Sequence, residues 1–364
     1  MKVKLDALDT LFFGLGKPAI WGEDTFGVGM FPPYPSVIRG AVRAAWLYEN
    51  SSFDEADTER DLSRAFQVSE YALFMDGAPH FPVPADHVQN RDGTLIHCTL
   101  KDNDRLSSLF KSESASTSKD ANQFGFNTPA MLWADAKDKV VSPEKMYIPL
   151  SDFENYLKGC SIGSEPIPLK ERLTAESRIG IYKERSVGTV KKGMLYHTPL
   201  VRPQNAAGDK LSVVANIVGN EMSESIVRLG SQGKMAKISE FSENISPCGY
   251  LGDDGRFILY LATPAIFDKG WEPKLHVEAE LLTAAVYGYE NVGGFDMKAK
   301  QPKQMYRAVK QGSVYYYKLK ENTDINRAEV MKMHGTSISK EYSKDGFGIV
   351  YVGRIREENA CTKM

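Results

Sequence analysis

Between Met297 and Lys320 the chain carries seven bases, Lys298, Lys300, Lys303, Arg307, Lys310, Lys318 and Lys320, and no acid. So one-sided a run is a local positive field that can hold phosphate oxygens. Gly293-Gly294-Phe295 precedes it and Tyr315-Tyr316-Tyr317 follows. Aromatic rings can stack on unpaired bases, although alternate residues of a strand usually enter the core. A second basic stretch spans residues 178–192, where Arg178, Lys183, Arg185, Lys191 and Lys192 face a single acid, Glu184. It can track a phosphate backbone or be merely solvated. In PPYPSVIRGAVR, Arg39 and Arg43 stand one helical turn apart behind Ser36. A helix N-terminus offers free N–H groups to a phosphate and stacked arginines reinforce it; the plain alternative is an amphipathic helix with a solvated Arg face. Gly346-Phe347-Gly348 and RLGSQGK at 228–234 add glycines that let backbone approach a ligand, or serve a tight turn.

Other chemistries lack their residues. Gly16-Lys17 is followed by Pro18, which removes a donor that a phosphate loop needs. Gly27-Val28-Gly29 runs into Pro32, where a dinucleotide-binding loop has its third glycine. Neither G-x-S-x-G nor H-E-x-x-H occurs. None of the six histidines has a partner at tight metal-ligand spacing, and His97 and Cys98, adjacent on a strand, point to opposite faces. His197 could be a general base, but a single His in a basic hairpin is more often a binding or packing residue. The four cysteines (Cys98, Cys160, Cys248, Cys361) are too sparse for a disulfide framework or a structural zinc site and fit a reducing compartment. No metal or cofactor is expected.

These residues need a scaffold, and the composition supplies one. Of the 364 residues 42% are hydrophobic, enough for a real core. With 45 Lys plus Arg against 47 Asp plus Glu the net charge is −2, which excludes a generic polyanion binder but not a local basic groove. Acids Asp6 and Asp9 stand where a signal peptide would be apolar, and no apolar run approaches the roughly 18 residues of a membrane span. A cytoplasmic protein without membrane contact is expected. The pattern predicts a strand at Val3–Phe13, a helix capped by Ser36, strands at YALFM, HFPVP and TLIHCTL, a mobile serine-rich loop within 107–124 and a helix from Ser151. Residues 178–203 read as two strands around a basic turn. Beyond residue 205 come a strand (LSVVANIV), a helix (NEMSESIVRL), strands near 234–240, 256–263 and 276–287, then strand GSVYYYKL, helix NRAEVMKMHG and strand GFGIVYVGRI. Short strands alternating with helices in both halves indicate an α+β fold of two domains, 1–205 and 206–364.

Four segments, in order, resemble one family. LDTLFFGLGKPAIW with FPPYPSVIRGAVRAAW is similar to the N-terminal signature of the third subunit of the type III-B CRISPR (Cmr) effector complex. SRIGIYKERSVGTVKKGMLYHTPLVRP resembles its central segment, RLGSQGKMA the next, and GGFDMKAKQPKQMYRAVKQGSVYYYKL its C-terminal signature. The resemblance implies a RAMP-superfamily protein of two ferredoxin-like, RRM-like modules with antiparallel sheets, β-hairpin insertions and glycine-rich loops. It implies a non-catalytic subunit that grips the repeat-derived 5′ tag of the CRISPR RNA, docks the large polymerase-like subunit and adjoins a RAMP backbone subunit in antiviral defence. Carried onto this sequence, the RNA-binding residues would be Ser36, Arg39, Arg43, Arg178, Lys183, Arg185, Lys191, Lys192, Lys298, Lys300, Lys303, Arg307, Gly346, Phe347 and Gly348. The alternative is a metal-independent repeat-processing endoribonuclease, with His197 as base and Tyr196 or Lys192 beside it.

Overall fold

The computed structural model describes residues 1–14, 29–50, 62–102, 129–183, 188–296 and 299–356. Arg185, Lys298 and the serine-rich stretch lie outside them, as do the side chains of Lys183, Lys191 and Lys192.

Val3 and Leu5 alternate with Lys2 and Lys4 in the first strand, β1 (Lys2–Ala7), so one face enters the core. β1 pairs antiparallel with β12 (Ser212–Val218) and β14 (Met235–Glu240), and β12 pairs with β2 (Gln67–Met75). Numbered in chain order, these four central strands lie 4-1-3-2 across the sheet. β13 (Ser225–Arg228) extends one edge; β3 (Ala78–Pro82), β8 (Met146–Pro149) and β9 (Ile167–Pro168) extend the other to eight strands. The second sheet has five strands: β16 (Ala279–Ala285), β21 (Val314–Leu319), β15 (Arg256–Leu261), β23 (Ile349–Gly353) and β22 (Thr336–Ser337), in that order across it. Its first four are again 4-1-3-2 read from the other side, all antiparallel.

Among the described residues three α-helices complete the layers. α1 (Pro35–Asn50) buries Ile38, Ala41, Val42 and Trp46, a stripe at helical spacing, against Val213, Ala215, Tyr71 and Leu73 of the first sheet. The opposite face of that sheet sends Ala72, Phe81 and Val214 into a second core, where Ile258, Tyr260, Tyr316 and Tyr351 arrive from the second sheet. α2 (Leu150–Leu157) wedges Phe153, Tyr156 and Leu157 between the two. α3 (Asp324–Lys332) contributes Val330 to a third core with Phe257, Leu259, Tyr315 and Tyr317 on the outer face of the second sheet. The order is helix, sheet, sheet, helix.

Two expectations change. Residues 220–229 form no helix: Val227 and Leu229 are buried two apart while Ile226 and Arg228 are exposed, so strand pairing with β14 overrides the helical spacing. The division at 205/206 cuts the first sheet, because β12, β13 and β14 follow it in sequence yet pair with β1 and β2 or with each other. The second sheet starts at Arg256. Among the described residues Cys98 and Cys248 are free thiols. Among the described residues no helix is long and apolar enough to cross a membrane.

Candidate functional site

α1 begins at Pro35, a residue suited to the first helical position because it lacks an N–H, so Ser36 sits inside the first turn rather than capping it. Both arginines of the helix serve the fold. Arg39 donates from Nε to the Phe66 carbonyl (2.5 Å) and from its two terminal nitrogens to Asp345 (3.0 Å) and the Arg64 carbonyl (3.3 Å). Arg43 donates from Nε to the Ser63 hydroxyl at 2.9 Å. They clamp α1 to the 3-10 turn Leu62–Ala65 and, through Asp345, to the turn before Gly346, instead of presenting a stacked cation pair to solvent.

Gly346 and Gly348 have φ of +89° and +73°, left-handed values that favour glycine. A Cβ on Gly346 would stand 2.8 Å from the Val68 Cβ and 2.9 Å from that of Pro35. Phe347 is fully buried, its ring centroid 5.5 Å from that of Tyr34. The glycines therefore allow protein to approach protein, and Phe347 has no face left for a base. In this structure the segment and Arg39 are engaged with the protein's own groups rather than presented to solvent.

β10 (Thr174–Lys183) and β11 (Val190–Arg202) form the long hairpin expected at 178–203. Its base is tied to Asp9: Arg202 reaches that carboxylate at 2.9 Å, Lys234 at 3.1 Å and Arg178 at 3.9 Å, while Arg202 also holds Glu176 at 2.6 Å. The Thr10 backbone N–H and then Lys234 hold Asp9 down at about 2. Arg178 is thus half-committed, though exposed. Tyr196 lies across the strand from Gly180, where an added Cβ would fall 2.1 Å from its ring. His197 pairs in register with Ile179 and is partly buried.

The remaining basic stretch is an arm. β17 (Tyr289–Val292) pairs with β20 (Tyr306–Val309), and the ladder continues as β18 (Phe295–Asp296) with β19 (Gln301–Pro302). Asp296 accepts the Ala299 N–H at 2.9 Å and the Lys303 N–H donates to the Gly294 carbonyl at 2.9 Å, which shapes the tip. Lys300, Lys303 and Arg307 are all exposed. So are Tyr289 (57%) and Phe295 (55%), and the Arg307 guanidinium lies 4.9 Å from the Tyr289 ring centroid. The structure thus brings together the arm's cations and rings, and separates them from the Tyr315-Tyr316-Tyr317 run. Those three tyrosines are buried: β21 is a central strand covered on both faces, so neither side of its alternation meets solvent. Lys310, at the foot of the arm, pairs with Glu144 at 2.9 Å.

Below the arm a cleft of about 370 Å³ opens between the sheets, walled by Phe31, Tyr34, Tyr147 and Glu290 among others. It adjoins a more apolar hollow of about 450 Å³ lined by Phe12, Phe13, Phe31 and Val201.

One cluster escaped the sequence reading. The fully buried Asp86 accepts hydrogen bonds from Tyr156 and Tyr316 hydroxyls, both 2.6 Å, and contacts His87 Nδ1 at 2.8 Å, with His97 Nε2 at 3.7 Å. β4 (His87–Gln89) and β5 (Leu95–His97) place the two histidines directly opposite. The Asp92-Gly93 turn between Val88 and Ile96 was the available signal. Among the described residues no group of three or more His, Cys, Asp or Glu is arranged to hold a metal.

The family model described as "CRISPR-associated protein (Cas_Cmr3)" matches residues 3–355. No curated protein sequence matches the chain. Among solved structures, the chain is similar to one in the cryo-EM structure of the type III-B Cmr-beta bound to cognate target RNA and AMPPnP, with 15% identity and a TM-score of 0.48 over 87% of this chain and 86% of that one. It is similar also to a chain of the Csm3-Csm4 subcomplex of the type III-A CRISPR-Cas interference complex (10% identity, TM-score 0.36, 86% and 91% covered). A chain of the Csm1-Csm4 cassette in complex with cA3 matches at 9% identity and a TM-score of 0.33, over 86% and 85%. With the family model spanning nearly every residue, the chain belongs to the Cmr3 family of CRISPR-associated proteins, the subunit of the type III-B complex that its four segments resemble.

Proposed function

We propose that the chain is a non-catalytic RNA-binding subunit that grips the 5′ repeat-derived tag of the CRISPR RNA, docks the large polymerase-like subunit and adjoins a RAMP backbone subunit. The observation that carries this reading is the arm, where Lys300, Lys303 and Arg307 stand exposed beside Tyr289 and Phe295. Cations that hold phosphates next to rings that stack on unpaired bases suit a short single strand. The sheets support a reading as two ferredoxin-like modules. Each has the 4-1-3-2 order of a split β-α-β, with a helix in one of its two crossovers: α1 in the first and α3 in the second. The partly buried His197, and a Tyr196 ring laid over Gly180, favour packing roles in the hairpin over a base and its partner.

The test is fluorescence anisotropy with labelled tag RNA. Replacing Lys300, Lys303 and Arg307 together by Ala should weaken binding about 10- to 100-fold and reduce the salt slope by about 2, as expected for three lost single-strand phosphate contacts. Unchanged affinity and slope would remove the arm from the interface. In the same preparation, repeat RNA incubated with a chelator should remain intact; defined fragments that disappear in His197→Ala would restore the nuclease reading.

A further inference from the structure

Adjacent residues of β17 face different ways. Tyr289 is exposed beneath Arg307, whereas Glu290 turns inward and lines the cleft between the sheets. At about 370 Å³ that cleft is of the size that holds small ligands, roughly 300–1,000 Å³. Phe31, Pro32, Pro33 and Tyr34 give it flat apolar walls suited to a planar ring. Most of its polar groups are engaged with the protein: the Tyr287 hydroxyl donates to the Val83 carbonyl at 3.0 Å. Lys310 is paired with Glu144 and Gln311 donates to the Tyr147 hydroxyl at 3.0 Å. Tyr34, only 9% exposed, has a hydroxyl with no hydrogen-bond partner of ordinary length. The Glu290 carboxyl lies beside it, and burial and that neighbour together push the Tyr34 hydroxyl well up.

We propose that this cleft receives a single unstacked nucleobase and that Glu290 selects guanine. An ionised carboxylate only accepts hydrogen bonds, and it accepts two side by side. The Watson–Crick edge of guanine presents the matching pair of donors, N1–H and the 2-amino group. Adenine presents one donor and one acceptor there, which a carboxylate cannot satisfy. A buried polar group left unpaired by the wrong guest is what makes such a site selective. Burial pushes the Glu290 carboxyl up to about 7, against the opposing pull of Lys310 and the Tyr34 hydroxyl; Glu144 raises it further and Lys145 lowers it. The empty cleft therefore holds a mixture of carboxyl and carboxylate near neutrality. Guanine requires the ionised form, so its binding expels a proton and strengthens as pH rises through about 7. The inference deepens the RNA-binding reading, since the arm delivers the strand whose base enters the cleft.

The experiment is isothermal titration of the full chain with 5′-GMP, 5′-IMP and 5′-AMP at pH 6 and pH 8, where the shared phosphate cancels in the comparison. At pH 8 GMP should bind about 10-fold or more tightly than AMP, with IMP, which lacks the 2-amino group, in between. The preference should shrink at pH 6. Glu290→Gln should abolish both the preference and its pH dependence and should raise the melting temperature at pH 8, where the buried wild-type carboxylate is ionised, with little change at pH 6. Tyr34→Phe should weaken GMP several-fold. Equal binding of the three nucleotides, no binding, or an unchanged Glu290→Gln variant overturns the proposal. Tag-RNA anisotropy run alongside keeps the two readings apart. RNA binding without base preference removes the guanine pocket alone, whereas GMP selectivity without RNA binding upholds the pocket and removes the tag reading.

Discussion

The Arg39 guanidinium reaches two backbone carbonyls, of Phe66 and Arg64, and the carboxylate of Asp345, which is more than 300 residues away in sequence. Its planar fork meets acceptors in several directions at once, which a lysine cannot reproduce. Truncation to Ala leaves those acceptors to find water in a half-buried place. Arg39→Ala should therefore cost about 1.5–3 kcal/mol in denaturant unfolding, and Arg39→Lys should recover only part of it. Its effect on tag-RNA affinity, measured well below the unfolding midpoint, should be slight. A variant of wild-type stability with much weaker RNA binding would instead return Arg39 to the interface. From sequence, two arginines one turn apart look the same whether they face a phosphate or the protein's own carbonyls. The acceptor that decides the matter, Asp345, is far away along the chain.

At the scale of elements, the local patterns placed most elements, although β1 ends at Ala7 rather than running on to Phe13 and Ser36 lies inside α1 rather than capping it. The Val3/Leu5 alternation, the Ile38/Val42/Trp46 stripe and the β10–β11 hairpin each depend on neighbours in sequence. What depended on distant partners was not legible. Residues 220–229 carry a helical spacing, yet pairing with β14 made Ser225–Arg228 a strand. Tyr315-Tyr316-Tyr317 and Gly346-Phe347-Gly348 could have faced a ligand, until α3, α2 and the Tyr34 loop covered them. Charge survived the translation better than aromaticity, because Lys300, Lys303 and Arg307 gain nothing from burial and stay outside. The wedge α2 is a test of how the layers hold together. Phe153 is fully buried, stacked on Phe81 with ring centroids 4.5 Å apart, and equally close to Tyr260 of the other sheet. Phe153→Ala should cost about 3–5 kcal/mol. The loss should appear as a single cooperative transition, since both sheets lose the same core. Two separated transitions would show modules that unfold independently.

Over the whole molecule the near-zero net charge conceals a basic arm on the surface and, at the junction of the layers, a fully buried carboxylate, Asp86. Asp86 follows β3 of the first sheet, while its two tyrosine donors come from α2 and from β21 of the second sheet. Burial raises its carboxyl, but His87 and His97 outweigh that and hold it well below the ordinary carboxylate range. Burial also lowers His87, which stays neutral in the fold. Both groups bind protons more readily in the unfolded chain. Their stabilisation is complete above about pH 6.5, the unfolded value of His, and it declines as acid protonates first His87 and then Asp86 of the unfolded state. His80 and His334, likewise lowered mainly by burial, add to the same slope. The melting temperature should therefore fall between pH 7 and pH 5, by less than the three histidines alone would give, because Glu290 binds its proton more tightly in the fold and opposes the slope. Asp86→Asn should lose about 3 kcal/mol at pH 7. Its decline between pH 7 and pH 5, which belongs to the histidines, should persist, while the further loss below about pH 5, where the unfolded Asp86 would take up its proton, should disappear. A variant that melts with the wild-type midpoint and pH slope would mean that the tyrosines and histidines hold the junction without the charge. If the loss is as large as its burial implies, Asp86 sets how firmly the second sheet, through Tyr316, and α2, through Tyr156, are seated against the first.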